Sequence, residues 1–435
     1  MKLNRKHTPE LLLPMALALA LIVSGCDSGE STEGSLGVNS ASCENFSGDS
    51  TGGKEPHSAS CVGTVSVSGG SSEWVNISGM SSRVSSSLTQ GGGRVNEIVF
   101  DSNLPFTIDG MRSGDTIYFE IDREADTIQW SEGLPFEFWR YYVGAFAGSG
   151  YSLSAMIPML SSVQGSFPSG DYQFKINNSS GENATMNVFQ VQKIDSDFGS
   201  GVLDINLFIY TSGETNPVIP DEASAGAIKN YMNNVFSKVG VSIGNMSVTF
   251  RNDPDAIAQM NSEEEMNAFL ISASRATGGR RDTGINCFLF PQLPSNILGV
   301  DGAIPGPGFL HGVGSAGLIA QIAPYGYSSG GLSAHDTDQR ILAKILAHEI
   351  GHYLGLFHTS ERTGGIHDPL GDTPECTEED DSDGDGRVVT NECMGKGASN
   401  LMFWAGDLSL SESGNFQEGL SSDQGRVANT HPSVL

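Results

Sequence analysis

Three stretches in the first half of the chain alternate apolar and polar residues at period two: Thr116 to Ile121, Tyr172 to Ile176 and Thr185 to Ile194. Successive side chains of a strand point to opposite faces, so each stretch predicts a strand with one buried face. Ser113-Gly114-Asp115, Ser169-Gly170-Asp171 and Ser180-Gly181-Glu182 read as the turns between them. Strands at this spacing predict an antiparallel β-sandwich over residues 63–197. After Gly201 the texture changes. Leu203, Ile205, Leu207 and Ile209 alternate along one strand, and then Ile228, Tyr231, Met232, Val235, Phe236 and Val239 recur at helical spacing. A second helix is predicted from Glu263 to Ala276, with Asn261 or Ser262 as its N-cap. Strands are predicted near Ile285 to Phe290 and Gly317 to Ala323, and a helix from Asp338 to Tyr353. The Gly- and Pro-rich loop between those strands carries Pro305 and Pro307 on either side of Gly306, expected to shape a cleft rim. Residues 201–435 therefore read as an α+β domain. No repeat of solenoid or propeller period is visible.

The start of the chain has a different pattern. Lys2, Arg5 and Lys6 precede an apolar run from Leu11 to Val23 that Pro14 interrupts. The run is shorter than the roughly 20 residues of a membrane span, which predicts a secretory signal over residues 1–25. It ends in Val23-Ser24-Gly25-Cys26, which resembles the lipobox of bacterial lipoproteins. That resemblance implies lipidation of Cys26 as the mature N-terminus and anchoring to the membrane of the cell envelope. The alternative is an ordinary signal peptide that contains a cysteine. Residues 26–62 are rich in Ser and Gly and poor in apolar residues, the composition of a flexible tether. The net charge of −28 excludes nucleic acid as the main partner, because phosphate binding needs clustered Lys and Arg. Export permits disulfides, and proximity pairs Cys43 with Cys61 and Cys376 with Cys393. Cys287 sits in an apolar run and is expected to be a buried free thiol.

The chemistry concentrates in His348-Glu349-Ile350-Gly351-His352-Tyr353-Leu354-Gly355-Leu356-Phe357-His358. On a helix, residues four apart share a face, so His348 and His352 can hold one metal. Glu349 then reaches a water on that metal without ligating it. Gly355 can take the left-handed conformation that ends a helix and turns the chain, which returns His358 to the metal from another side. Three imidazoles leave a fourth position open, the arrangement of a catalytic zinc site. A bare H-E-x-x-H arises by chance in roughly one chain in a hundred of this length, and Gly355 and His358 at fixed offsets make chance about a thousandfold rarer. Cys43 or Cys61 as a cap on the zinc in a latent form stays open here.

The string resembles the H-E-x-x-H-x-x-G-x-x-H consensus of the metzincin zinc peptidases. Asn400-Leu401-Met402-Phe403-Trp404 resembles their methionine turn, with Met402 beneath the metal. Gly371-Asp372-Thr373-Pro374, Cys376 and the helix start at Leu420 to Gln424 look most like the pappalysin family. The resemblance covers residue 201 to the C-terminus. It implies a mixed sheet with a zinc helix and a Met-turn, and hydrolysis of peptide bonds in extracellular or envelope proteins with Glu349 as base. A strand above the cleft aligns substrate in that family, and Gly317 to Ala323 is the candidate here. Many members place a tyrosine two residues after the methionine, where this chain has Trp404, whose indole N–H can donate but cannot act as an acid. Two other readings stay open on the motif: a lipoprotein that keeps the fold to bind without useful catalysis, and a zinc hydrolase of non-peptide amides.

A second cation site is expected at Asp381 to Glu392. Carboxylates at positions 1, 3 and 5 (Asp381, Asp383, Asp385), Gly386 at 6 and Glu392 at 12 follow the calcium-loop spacing. The family resemblance adds Asp372 to these Ca²⁺ ligands.

Overall fold

The computed structural model describes Cys43 and, with short gaps, residues 58–130, 150–157, 170–322, 331–406 and 417–435. The signal segment, Cys26 and most of the tether lie outside the described residues. Among the described residues no helix is long and apolar enough to cross a membrane.

Among the described residues the first unit holds nine antiparallel strands: β1 (Ser58–Val67), β2 (Ser71–Met80), β3 (Arg83–Val84), β4 (Gly93–Ser113), β5 (Thr116–Asp122), β6 (Thr127–Trp130), β7 (Gly150–Ile157), β8 (Gly170–Asn178) and β9 (Ala184–Asp195). β1 begins ahead of the boundary expected at residue 63. β4 is shared between two ladders. Its first half pairs with β9 and β7, from Gly93↔Asp195 to Ser102↔Met186 on the β9 side. Its second half pairs with β8 and β5. Ile98, Phe100, Phe106, Phe119, Phe174 and Val188 fill the core enclosed by this unit. Each fully buried side chain of this size contributes about 1.5–3 kcal/mol by leaving water. Cys43–Cys61 is a disulfide with Cα atoms 5.6 Å apart. A disulfide offers no thiolate, so neither cysteine can cap a metal in this state.

The second unit holds a five-stranded sheet of order β11-β10-β12-β14-β13. Its strands are β10 (Gly201–Thr211), β11 (Val241–Asn252), β12 (Ile285–Phe290), β13 (Gly299–Asp301) and β14 (Leu318–Gln321). All neighbours run parallel except β13, which is antiparallel to β14. Among the described residues the α-helices are α1 (Glu222–Phe236), α2 (Pro254–Ala258), α3 (Glu263–Ala276), α4 (Gly331–Tyr353) and α5 (Ser422–Thr430). Strand parity sorts the core. Ile285, Cys287 and Leu289 join residues of α1 and α4 on one face, while Phe288 and Phe290 join Met266 and Leu270 of α3 on the other. Coverage on both faces is why β12 reads as a continuous apolar run. Cys287 is a buried free thiol there. α3 starts where expected, with the Ser262 hydroxyl accepting from Glu265 N at 3.1 Å.

Two expectations change. β14 lies between β12 and β13, so its backbone bonds are used on both sides and it cannot align a substrate. On this side of the sheet the edge strand is β13, β11 being the edge at the other end. Residues 305–310 are buried and form no rim. They pack instead against the first unit, where Phe309, Leu310, Val313 and Ala316 meet Val99, Phe189 and Val191.

Candidate metal centre

α4 carries His348 and His352 one turn apart and ends at Tyr353. Gly355 then takes φ 97°, a left-handed conformation that costs a side-chain-bearing residue about 1–3 kcal/mol. Its N–H donates to His352 O at 2.8 Å, and Leu356 N donates to Gly351 O at 2.9 Å. This turn reverses the chain, and Thr359 N, donating to Met402 O at 2.9 Å, fixes the segment that returns His358.

The three Nε2 atoms lie 3.1 Å (His348–His352), 3.0 Å (His352–His358) and 3.2 Å (His348–His358) apart. Each ring's Nδ1 faces outward to an acceptor: Leu401 O at 2.7 Å, Leu356 O at 2.7 Å, and Glu361 Oε2 at 3.0 Å for His348, His352 and His358 respectively. Those acceptors place the proton on Nδ1, so three Nε2 lone pairs converge on one point. Such lone pairs repel unless a cation lies between them. A tetrahedral zinc with Zn–N of 2.0–2.1 Å sets nitrogens about 3.4 Å apart, close to this spacing. The donor set therefore fits zinc. Burial, with the neighbouring His358, lowers His348 to about 3 and His352 well below the usual range, so both stay neutral ligands. Burial would lower His358 too, but the Glu361 carboxylate outweighs it and raises that imidazole.

Glu361 was not visible to sequence reasoning, because after the Gly355 turn a spacing of three residues from His358 has no helical meaning. It is the one carboxylate among the three Nδ1 partners. Outer carboxylates of this kind orient the imidazole and raise its basicity. Glu361→Gln is expected to weaken zinc affinity about 10–100-fold while melting of the metal-free chain is little changed. Zinc titration against a chromogenic chelator measures it.

Glu349 is 6 % exposed and lies against the edge strand. A Cβ at Gly299 would sit 2.5 Å from Glu349 Cγ and 2.6 Å from its Oε1, so only glycine leaves room for this carboxylate. Asp301 is two residues further along β13 and thus on the same face. Burial raises Asp301 to about 7, and its Oδ2 has no hydrogen-bond partner among the described residues. Burial and then the Asp301 charge raise Glu349 well above the usual carboxylate range. A cation at the histidines opposes both effects by favouring the ionised form.

Met402 is fully buried, and its Sδ lies where a side chain at Gly351 would stand, directly under α4. Trp404 turns away: its Nε1–H donates to Val388 O at 2.6 Å, and the ring packs on the cluster around Cys376, Val388 and Cys393. Cys376 and Cys393 form a disulfide with Cα atoms 5.5 Å apart.

The expected calcium ligands are gathered only in part. Asp381, Asp383 and Asp385 bring oxygens within 4.8 Å of one another. Asp381 also accepts from Gly384 N and Gly386 N at 2.8 Å. Glu392 closes the loop by accepting from Ser382 N at 2.8 Å and Val389 N at 3.0 Å. Asp372 is not grouped with them. It accepts from Ser421 Oγ at 2.7 Å and Asp423 N at 2.9 Å, a carboxylate drawn to the N-terminus of α5. His311 is a structural histidine that accepts from Asn286 Nδ2 at 2.9 Å and donates to Asp282 O at 2.8 Å.

No family model matches the chain. Over 192 residues it is 26 % identical to an extracellular metalloprotease of Arthroderma benhamiae and to one of Trichophyton verrucosum. The match covers 43 % of this chain and 65 % of each relative, just under two thirds of their length. Among solved structures, a promirolysin variant from Tannerella forsythia aligns with a TM-score of 0.34 at 12 % identity, over 53 % of this chain and 80 % of that one. Metalloproteinase-II from Bacteroides fragilis aligns with a TM-score of 0.22 at 14 % identity, over 38 % and 46 %. The similarity to the two extracellular metalloproteases agrees with the metal-binding chemistry of the site; the structural alignments are too partial to add to it.

Proposed function

We propose that this chain is an exported zinc-dependent endopeptidase of metzincin type, most like the pappalysins, acting on extracellular or envelope proteins. The observation that carries this reading is the convergence of three Nε2 lone pairs beside Glu349. Held by His348, His352 and His358, zinc would supply Lewis-acid chemistry toward the scissile carbonyl and the attacking water. Glu349 accepts the proton of that water and delivers it to the leaving amine. Gly299 gives this carboxylate the space to do so. The outer edge of β13 offers backbone groups for an extended peptide, which supplies affinity with little side-chain selectivity. Trp404 has spent its N–H on Val388 and takes no part. In this reading Cys26 is lipidated and tethers the enzyme to the cell envelope, and the Asp381 loop takes Ca²⁺ to stiffen the segment between α4 and Met402.

Metal removal tests both ions. With casein as substrate, 1,10-phenanthroline is expected to stop cleavage, and added zinc to restore it. A calcium-selective chelator is expected to lower the melting temperature while zinc stays bound. Cleavage that persists without zinc refutes the peptidase mechanism, and an unchanged melting curve removes the calcium.

A further inference from the structure

β4, β7 and β9 are buried on both faces. Ile98, Phe100, Leu153, Ala155 and Val188 face the core of their own unit. The alternate residues face the second unit, and several are charged or polar. Glu97, 0 % exposed, accepts from Gly308 N at 2.7 Å. Asp101 accepts from Gly314 N at 2.9 Å and pairs with Arg275 at 3.1 Å. Ser154 donates to Pro305 O at 2.6 Å. Lys193, also fully buried, donates to Asn429 O and Val434 O in the C-terminal tail.

The contacted loop, residues 302–316, connects β13 to β14 and reaches the C-terminal end of α4 through hydrogen bonds. It begins after β13, whose Gly299 accommodates Glu349. Within it, Gly306 N donates to Tyr353 O at 2.8 Å, and the Tyr353 hydroxyl donates to Pro307 O at 2.7 Å. Tyr353 directly follows His352, and a Cβ at Gly306 would stand 2.3 Å from its ring carbons, so only glycine fits against it. His431 in the tail holds the same loop, donating to Gly306 O at 2.9 Å.

We propose that this face of β4, β7 and β9 is a permanent internal docking surface, and that the N-terminal β unit positions the metal centre through the 302–316 loop instead of being removed to release it. Taking the unit away leaves Arg275 without Asp101 and strips the partners from Gly308 N, Gly314 N and two tail carbonyls. The apolar cluster around Phe309 and Leu310 would be exposed at the same time.

The test uses the full chain with a site-specific protease sequence inserted at residues 196–197, between β9 and β10. After cutting, the two pieces are expected to co-elute, melt in one transition and cleave casein at the rate of the uncut chain. Lys193→Met and Gly308→Ala in the cut chain are expected to lower the urea concentration at which the pieces part, with cleavage lost at that same concentration. Pieces that separate in native buffer overturn the docking. Casein cleavage by the separated C-terminal piece overturns the positioning role. The cleavage readout rests on the peptidase proposed above, whereas co-elution and melting read the docking without it, so the two failures are distinguishable.

Discussion

Glu349→Ala is expected to keep zinc at the wild-type stoichiometry and to lower casein cleavage about 10²–10⁴-fold, the usual contribution of a positioned acid–base group. Zinc is retained because Glu349 is not one of the three converging nitrogens. On the proposed mechanism cleavage falls, because the carboxylate that moves the proton is gone. Stability should not fall with it. Burial and the Asp301 charge raise the Glu349 pKa in the metal-free fold. A raised pKa means stability that is complete below the ordinary glutamate range and declines as pH rises toward the folded value. Alanine removes that decline, so the metal-free variant is expected to melt at or above the wild type at neutral pH. Zinc content by atomic emission, casein cleavage and melting curves on one sample decide it. A variant that loses zinc would make Glu349 part of the metal site instead.

His352→Ala is expected to lose the metal altogether. Its ring is the most buried of the three, and its Nδ1 donates to Leu356 O across the Gly355 turn. Two nitrogens 3.2 Å apart remain, on His348 and His358. A ligand at a thousandfold excess over its dissociation constant stabilises a fold by about 4 kcal/mol. Wild type should show that rise in melting temperature with zinc, and His352→Ala should show none, with cleavage at background. Together the two variants separate metal binding from proton transfer. A zinc response in His352→Ala would place the metal elsewhere.

The metal centre was largely legible in the chain because its chemistry is written locally. His348, Glu349 and His352 share one helix, where spacing alone fixes direction. Gly355 declares its left-handed turn because few other residues adopt it. β12 and α3 were equally readable, being short elements with an unbroken apolar run and a capped start. Other parts were hidden because their partners are far away in sequence. β4 is 21 residues long yet gave no clear strand signal. Its outward face carries Glu97 and Asp101, which period-two reading treats as solvent-facing, although both are buried against another unit. β11 was missed because the register shift opposite Leu203/Ile205 breaks its alternation partway.

The sequence by itself marked out the three converging histidines, Glu349 beside them, the turn between them and the cysteine pairs, since each depends on spacing along a short stretch. Only the tertiary structure decided which strand is the edge, because edge or interior depends on neighbours on both sides. The same holds for Glu361 behind His358, Asp301 beside Glu349, Asp372 at α5 and Trp404 turned to Val388. Each is a question of which distant group satisfies a buried polar atom, and that becomes defined only when the chain has closed around it.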